Sequence, residues 1–225
     1  MRLRSFIPLL VVLTLASAPA QATDIVVIHG IPLDAAANVD VCATLPSGDT
    51  AKVIAGFNFG DSATLRGLPG GTYSAKVVGG GMDCSAPAAF DLAIGPVDLD
   101  AGARVAIVAY LKPSSALGVA LGAFPLGQPE SLEQGEGFLG AYHVADAPTV
   151  DVIVNGKAIV TASNGIGAPF TVAARPYAVW LSAPGRRAPL ISPTNVRVPE
   201  GGGFYIFAVG SLADGSFRYV AFGVE

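Results

Sequence analysis

The chain holds two histidines in 225 residues, and each precedes an aspartate set in a Val-Asp-Val run: His29 before Val39-Asp40-Val41, and His143 before Val150-Asp151-Val152. A neutral imidazole held by a carboxylate can act as a general base or ligate a metal, with Asp34 or Asp146 as further oxygen donors. The same residues can instead be a clamp, in which a His at a strand end bonds a loop carbonyl or an Asp. One His per copy falls short of the three or four protein ligands zinc usually takes, so the spacing favours the clamp, and neither metal nor other cofactor is expected. Nucleophilic catalysis has less support. Gly-x-Ser-x-Gly is absent, and the Gly clusters at 79–81 and 201–203 bound strands without opening a helix, as a phosphate cradle would require. No catalytic residue is assigned. His29, Asp40, His143 and Asp151 stand as binding candidates, against the alternative of a hydrolase or metal-dependent enzyme with its site around these pairs or between domains.

The elements that must position these residues read as strands. Many short Val- and Ala-rich runs are bounded by Gly, Pro, Asp or Ser clusters, and no stretch has a convincing helical period. In the first part, strands are expected at 24–29, 38–44, 50–55, 62–68, 72–78, 88–94, 104–111 and 118–124. In the second they are expected at 138–144, 150–154, 157–161, 177–182 and 204–209. Asn155-Gly156 between two β-rich runs predicts a two-residue hairpin turn, because both central residues must take positive φ. Residues 125–136 concentrate Gly, Gln, Pro, Glu and Ser and read as a linker.

Arg2 and Arg4, an apolar run over residues 6–15 and Ala20-Gln21-Ala22 together read as a signal peptide, with the mature chain starting near Thr23. No stable membrane anchor is expected, since the apolar stretch 105–123 is broken by Lys112-Pro113-Ser114-Ser115. A periplasmic or secreted product follows. Loss of the leader changes 13 basic and 17 acidic residues to 11 and 17, about −6 net, which argues against nucleic acid as a partner. The expected organisation is residues 1–22 signal peptide, 23–125 first domain, 126–136 linker and 137–225 second domain.

The two domains repeat one phrase. Arg175-Pro176-Tyr177 corresponds to Gly71-Thr72-Tyr73, and Glu200-Gly201-Gly202 before 204–209 corresponds to Asp100-Ala101-Gly102 before 104–109. This pattern of a His-bearing strand, an Ala/Pro loop, Val-Asp-Val, a Gly turn and a Gly-x-Tyr strand start resembles the bacterial domain-of-unknown-function family 4397, in two tandem copies. The second copy matches more closely, through Ala147-Pro148-Thr149-Val150-Asp151-Val152 and on to Asn155-Gly156. The first has a longer loop over residues 30–38 and no Asn-Gly turn. The resemblance implies an exported β-sandwich and brings no catalytic residues.

Cys42 and Cys84 are the only cysteines, both in the first copy, and an oxidising compartment would join them as a local staple. Ile153 stands at the second-copy position of Cys42. Strand alternation puts Trp180 at the position of Lys76, on the face opposite Tyr177, so it reads either as a sugar-stacking platform or interface residue, or as a core tryptophan. The sequence thus predicts an all-β protein of two tandem immunoglobulin-like antiparallel β-sandwich domains after a signal peptide. Its expected role is a non-catalytic binding or structural module of the cell envelope or extracellular space with a protein or glycan partner, its oligomeric state left open.

Overall fold

A computed structural model describes residues 23–114, 118–127 and 131–224. The expected signal peptide, residues 1–22, lies outside the described residues. The fold is nearly all β, as expected. The first half contains β1 (Thr23–Gly30), β2 (Asn38–Thr44), β3 (Thr50–Asn58), β4 (Ser62–Leu68), β5 (Gly71–Gly79), β6 (Ala93–Leu99), β7 (Arg104–Leu111) and β8 (Val119–Pro125). The second contains β9 (Glu136–His143), β10 (Val150–Val154), β11 (Lys157–Ala162), β12 (Ile166–Ala173), β13 (Pro176–Ser182), β14 (Thr194–Arg197), β15 (Gly203–Val209) and β16 (Arg218–Val224). Short 3-10 turns lie at Asp34–Ala36 and Ala89–Asp91. Among the described residues no helix is long and apolar enough to cross a membrane.

Each half is a sandwich of two four-stranded sheets. The orders are β4-β1-β7-β8 over β3-β2-β5-β6, and β12-β9-β15-β16 over β11-β10-β13-β14, so the second half repeats the first strand for strand. In immunoglobulin lettering, β1 to β6 take the places of B, C, C′, E, F and G. The departure lies beside β1, where strand A would run antiparallel: that place is taken by β7, which runs parallel to β1, as β15 does to β9. A further immunoglobulin trait is present twice at the start of the F-like strand. The hydroxyl of Tyr73 donates to Pro69 O at 2.6 Å and that of Tyr177 to Ala173 O at 2.9 Å, tying the corner between the two sheets.

Two local expectations meet different outcomes. Asn155 and Gly156 take φ of 48° and 81°, the double positive φ that the Asn-Gly turn requires. The strand expected at 88–94 lies instead at 93–99. Residues 89–91 form a 3-10 turn, and the strand begins only after Leu92 has sent its N–H to Ala89 O. Pro96 inside this strand is tolerated because β6 is a sheet edge, where a missing donor costs no ladder bond.

The core comes in three layers. Ile25, Val27, Val41, Val77 and Val105 fill the first sandwich, and Leu139, Val152, Val179, Leu181 and Ile206 fill the second. Between them lies a cluster drawn from both halves: Val26, Val108, Tyr110 and Phe124 meet Phe138, Tyr142, Tyr205 and Phe207. The β1 and β9 sheets therefore bury both of their faces, and the molecule is four sheets deep. Tyr142 and Phe207 stack with centroids 4.4 Å apart, and Phe124 meets both edge-on at 5.8 and 6.0 Å. Tyr205 fits because Gly140 and Gly203 flank it; a Cβ on either would come within 2.3 or 2.5 Å of its ring.

The segment expected to be a linker also belongs to this layer. Leu126 is buried in the shared cluster, Leu132 packs against it, and Gly127 N–H donates to Tyr205 Oη at 3.0 Å. Its last residue, Glu136, already opens β9. On either side of residues 128–130 the chain is packed and not a free spacer, because Leu126 and Leu132 give it an apolar side that its polar composition conceals. Asn164 Nδ2 donates to Leu111 O at 2.9 Å, Gly210 N–H donates to Gly30 O at 3.3 Å, and the Arg218 guanidinium lies 4.3 Å above the Phe59 ring, three further links between halves.

Candidate functional site

His29 sits near the end of β1, where the chain must leave one sheet for the other. Its side chain points into that crossover, only 3% exposed. Nε2–H donates to Ala36 O at 2.7 Å, on the 3-10 turn, and Nδ1 accepts the N–H of Ile31 at 3.3 Å. His143 repeats the arrangement on the β9–β10 crossover, donating through Nε2–H to Pro148 O at 3.0 Å and accepting the N–H of Ala145 at Nδ1, 3.4 Å. Bonding at both nitrogens fixes the Nε2–H tautomer and occupies the one lone pair, on Nδ1, that could take a metal or a substrate proton.

The aspartates do different work on a different sheet. Asp40 Oδ2 accepts from Lys52 Nζ at 2.6 Å and from Gly81 N–H at 3.0 Å, while Oδ1 accepts from Gly56 N–H at 2.8 Å. Asp151 accepts from Thr161 Oγ1 at 2.6 Å and from Gly185 N–H at 2.7 Å. Among the described residues no hydrogen bond joins an imidazole to a carboxylate, so the expected pairs His29/Asp40 and His143/Asp151 are not formed. Consecutive strands β1 and β2 lie in opposite sheets, which places each His and its Asp on different layers. Asp146, weighed as an oxygen donor, accepts instead from Ser211 Oγ at 3.2 Å. No group of three or more His, Cys, Asp or Glu converges as a metal site among the described residues; that includes Asp34, which opens the 3-10 turn.

The glycine partners of the two aspartates show what the carboxylates hold. Gly81 and Gly185 lie in the loops from β5 to β6 and from β13 to β14, which fold over the outward face of their sheet. In the first half the same loop is fixed by the disulfide Cys42–Cys84 and by Lys76 Nζ donating to Ala86 O at 2.9 Å. In the second, Trp180 Nε1–H donates to Arg187 O at 3.0 Å, and Ile153, at the position of Cys42, is 1% exposed. The register confirms the correspondence, since Cys42 pairs with Lys76 and Ile153 with Trp180. Trp180 is therefore outside the core, half-buried beneath a loop whose carbonyl takes its N–H. One loop is fastened covalently and the other by an indole packed on an isoleucine. The sequence carried a signal for a role left unassigned: the tyrosine that starts the matching strand in both copies, in Gly71-Thr72-Tyr73 and Arg175-Pro176-Tyr177, is the tyrosine corner.

The electrostatics follow from this geometry. Burial lowers the pKa of His29, partly offset by its bond to Ala36 O and by the field of Asp61; burial lowers that of His143, offset by the Pro148 and Ala147 carbonyls. Asp40 is held below the ordinary carboxylate value chiefly by Lys52 and then by the Gly56 N–H, and Asp151 chiefly by the Thr161 hydroxyl and then by the Gly185 N–H. In the unfolded chain each imidazole titrates near 6.5, above its folded value, so the unfolded state binds more protons as the pH falls. The stabilisation is thus complete above that pH and is lost as the pH falls from 6.5 through the folded pKa values. Urea midpoints should drop between pH 7.5 and 5.5, and the drop should flatten in the variant His29→Gln/His143→Gln. An unchanged slope in that variant would assign the pH dependence to other groups.

No family model matches the chain, and no curated protein does. Solved structures to which it is similar include the TIE protein of Bacillus anthracis, at 12% identity and a TM-score of 0.25 over 83% of this chain, and the chain spans only 33% of that protein's length. Another is CBMbc, of family CBM26, from Eubacterium rectale Amy13K, solved in complex with maltoheptaose: 11% identity, TM-score 0.24, covering 87% of this chain and 95% of that one. Likeness at this level fixes neither ligand nor activity.

Proposed function

We propose that the chain is an exported, non-catalytic binding or structural module of the cell envelope or extracellular space, whose rigid double sandwich presents loops to a protein or glycan. The observation that carries this reading is that His29, His143, Asp40 and Asp151 all spend their bonding capacity on backbone groups or close neighbours of their own half. Four residues of types suited to catalysis are used as fasteners, and what they fasten are loops. Loops fixed on a rigid scaffold are where binding residues concentrate. The loops at 80–92 and 183–193 differ in their fastenings, the second tied by Trp180 to the Arg187 carbonyl. The disulfide supports an oxidising compartment, and the repeated motif supports the likeness to family 4397.

Metal analysis of the purified protein, with His143→Ala beside it, tests the reading against the metal-dependent alternative. The expected outcome is no stoichiometric metal in either protein and a loss of about 2 to 3 kcal/mol of stability in the variant, since the Pro148 carbonyl and the Ala145 N–H lose their partner in a buried place. One metal per chain that disappears in His143→Ala would overturn it. Iodide should quench part of the fluorescence of Trp180; complete protection would remove that residue from any contact surface.

A further inference from the structure

The interior of the first sandwich is not filled. A cavity of about 120 Å³ runs between its two sheets, walled almost wholly by apolar side chains, most of them aliphatic. Its lining on β5 alone extends from Tyr73 through Ala75 to Val77, about 13 Å at roughly 3.3 Å per residue, so the space is a narrow slot along the strands. The slot reaches the surface between edge strands, where Val53 on β3, Leu65 and Leu68 on β4, and Val97 and Leu99 on β6 are half-buried. Phe90 forms part of the wall, and it is one of only two non-glycine residues among those described with positive φ, at 54°. A strained aromatic at a cavity wall is a feature that recurs at ligand clamps.

Matched positions in the second sandwich carry larger groups. Ala43 and Ala75 face each other across β2 and β5, where the second half has Val154 and Val179. Val77 is matched by Leu181, and Leu121, opposite Ala109, by Tyr219, opposite Ala208. Other exchanges run the opposite way: Val27 for Ala141, Ile31 for Ala145 and Phe57 for Ala162 toward the His29 end of β1, and Ile94 for Thr194 and Leu99 for Val198 along β6. The slot opens where Ala43, Ala75, Val77 and Leu121 stand in place of Val154, Val179, Leu181 and Tyr219, and the larger β3 and β6 side chains wall it.

We infer that the slot between the sheets of the first half, walled by Ala43, Ala75 and Leu121, binds the aliphatic chain of a small amphiphile. An apolar wall gives water no hydrogen-bond partners, and a void of roughly 150 Å³ with similar lining stays dry and takes apolar guests such as benzene. Here the same order of volume is drawn out along the strands, which suits an unbranched alkyl chain and not a ring. His29 borders the slot with both nitrogens occupied, so recognition rests on shape and apolar contact, with the polar head left at the mouth. This inference is independent of a protein or glycan partner on the outer loops, and either can fail alone.

The test uses the full mature chain and decanoate below its micellar concentration, followed by titration calorimetry and by amide chemical shifts. Saturable binding of one decanoate per chain is expected, with shift changes on β5 and β8 and at least tenfold weaker binding in Ala75→Leu. Leu121→Tyr, which installs the residue the second half already carries, should weaken binding in the same way and serves if Ala75→Leu does not fold. Absence of saturable binding, undiminished binding in a folded slot-filling variant, or equal affinity for cyclohexanecarboxylate would each overturn the inference.

Discussion

Phe207→Ala is expected to destabilise both halves of the molecule together, by about 3 to 5 kcal/mol. Phe207 is fully buried at the centre of the layer between the sandwiches, stacked on Tyr142, parallel to Phe222 at 5.9 Å and met edge-on by Phe124 from the first half. Truncation removes these contacts and leaves a void among rings whose backbones are held in four-stranded sheets and cannot collapse to fill it. Much of that loss falls on the first half, because Val26, Ile28, Ala106 and Val108 have no other cover for their side of the β1 sheet. Native-state hydrogen exchange reads this directly. Amides of β1 and β7 should lose protection in the variant along with those of β9 and β15. Unchanged protection in β1 and β7 would mean that the halves are energetically separate in spite of their contact.

Replacing Cys42 and Cys84 by alanine should cost about 4 kcal/mol, since the bond closes a loop across 42 positions and chain entropy in the unfolded state rises by about that amount when it is cut. The structural consequence should be local. The bonds from Gly81 to Asp40 and from Lys76 to Ala86 hold the same loop, but both reach a half-exposed edge where water competes. The loop at 80–92 is therefore expected to become sensitive to protease, whereas the one at 183–193, fastened by Trp180 and Asp151, keeps its resistance. Denaturant titration with limited proteolysis measures both effects. A stability change below about 1 kcal/mol would show that the unfolded chain is already constrained without the bond.

Strand positions such as 38–44, 62–68 and 104–111 were legible because turn residues bracket β-branched runs, and Asn155-Gly156 because its geometry has few alternatives. The disulfide was legible by count. The His/Asp pairing was misread because adjacency along the chain does not survive a crossover: β1 to β2 changes sheet, and the two side chains then face different loops. The strand at 93–99 was misplaced because Leu92 and Phe90 are apolar through packing from the loop into the core of the first sandwich and not through alternation. The shared middle layer did leave a trace. Val105 to Leu111 and Phe204 to Val209 are apolar without interruption, which is how strands covered on both faces read, whereas a sheet with one wet face alternates.

The parallel pairing of β1 with β7 bears on how the chain reaches its final form. Asp24 pairs with Arg104, roughly 80 residues further on, so the first strand has no neighbour on that side until nearly the whole half has been made. Contacts so distant along the chain delay the rate-limiting step, and folding on the millisecond to second scale is the expected regime. Until β7 arrives, the β1 edge stays open and the incomplete half remains pliable. Such an ordering suits the exported role proposed above, since the first strand cannot lock prematurely.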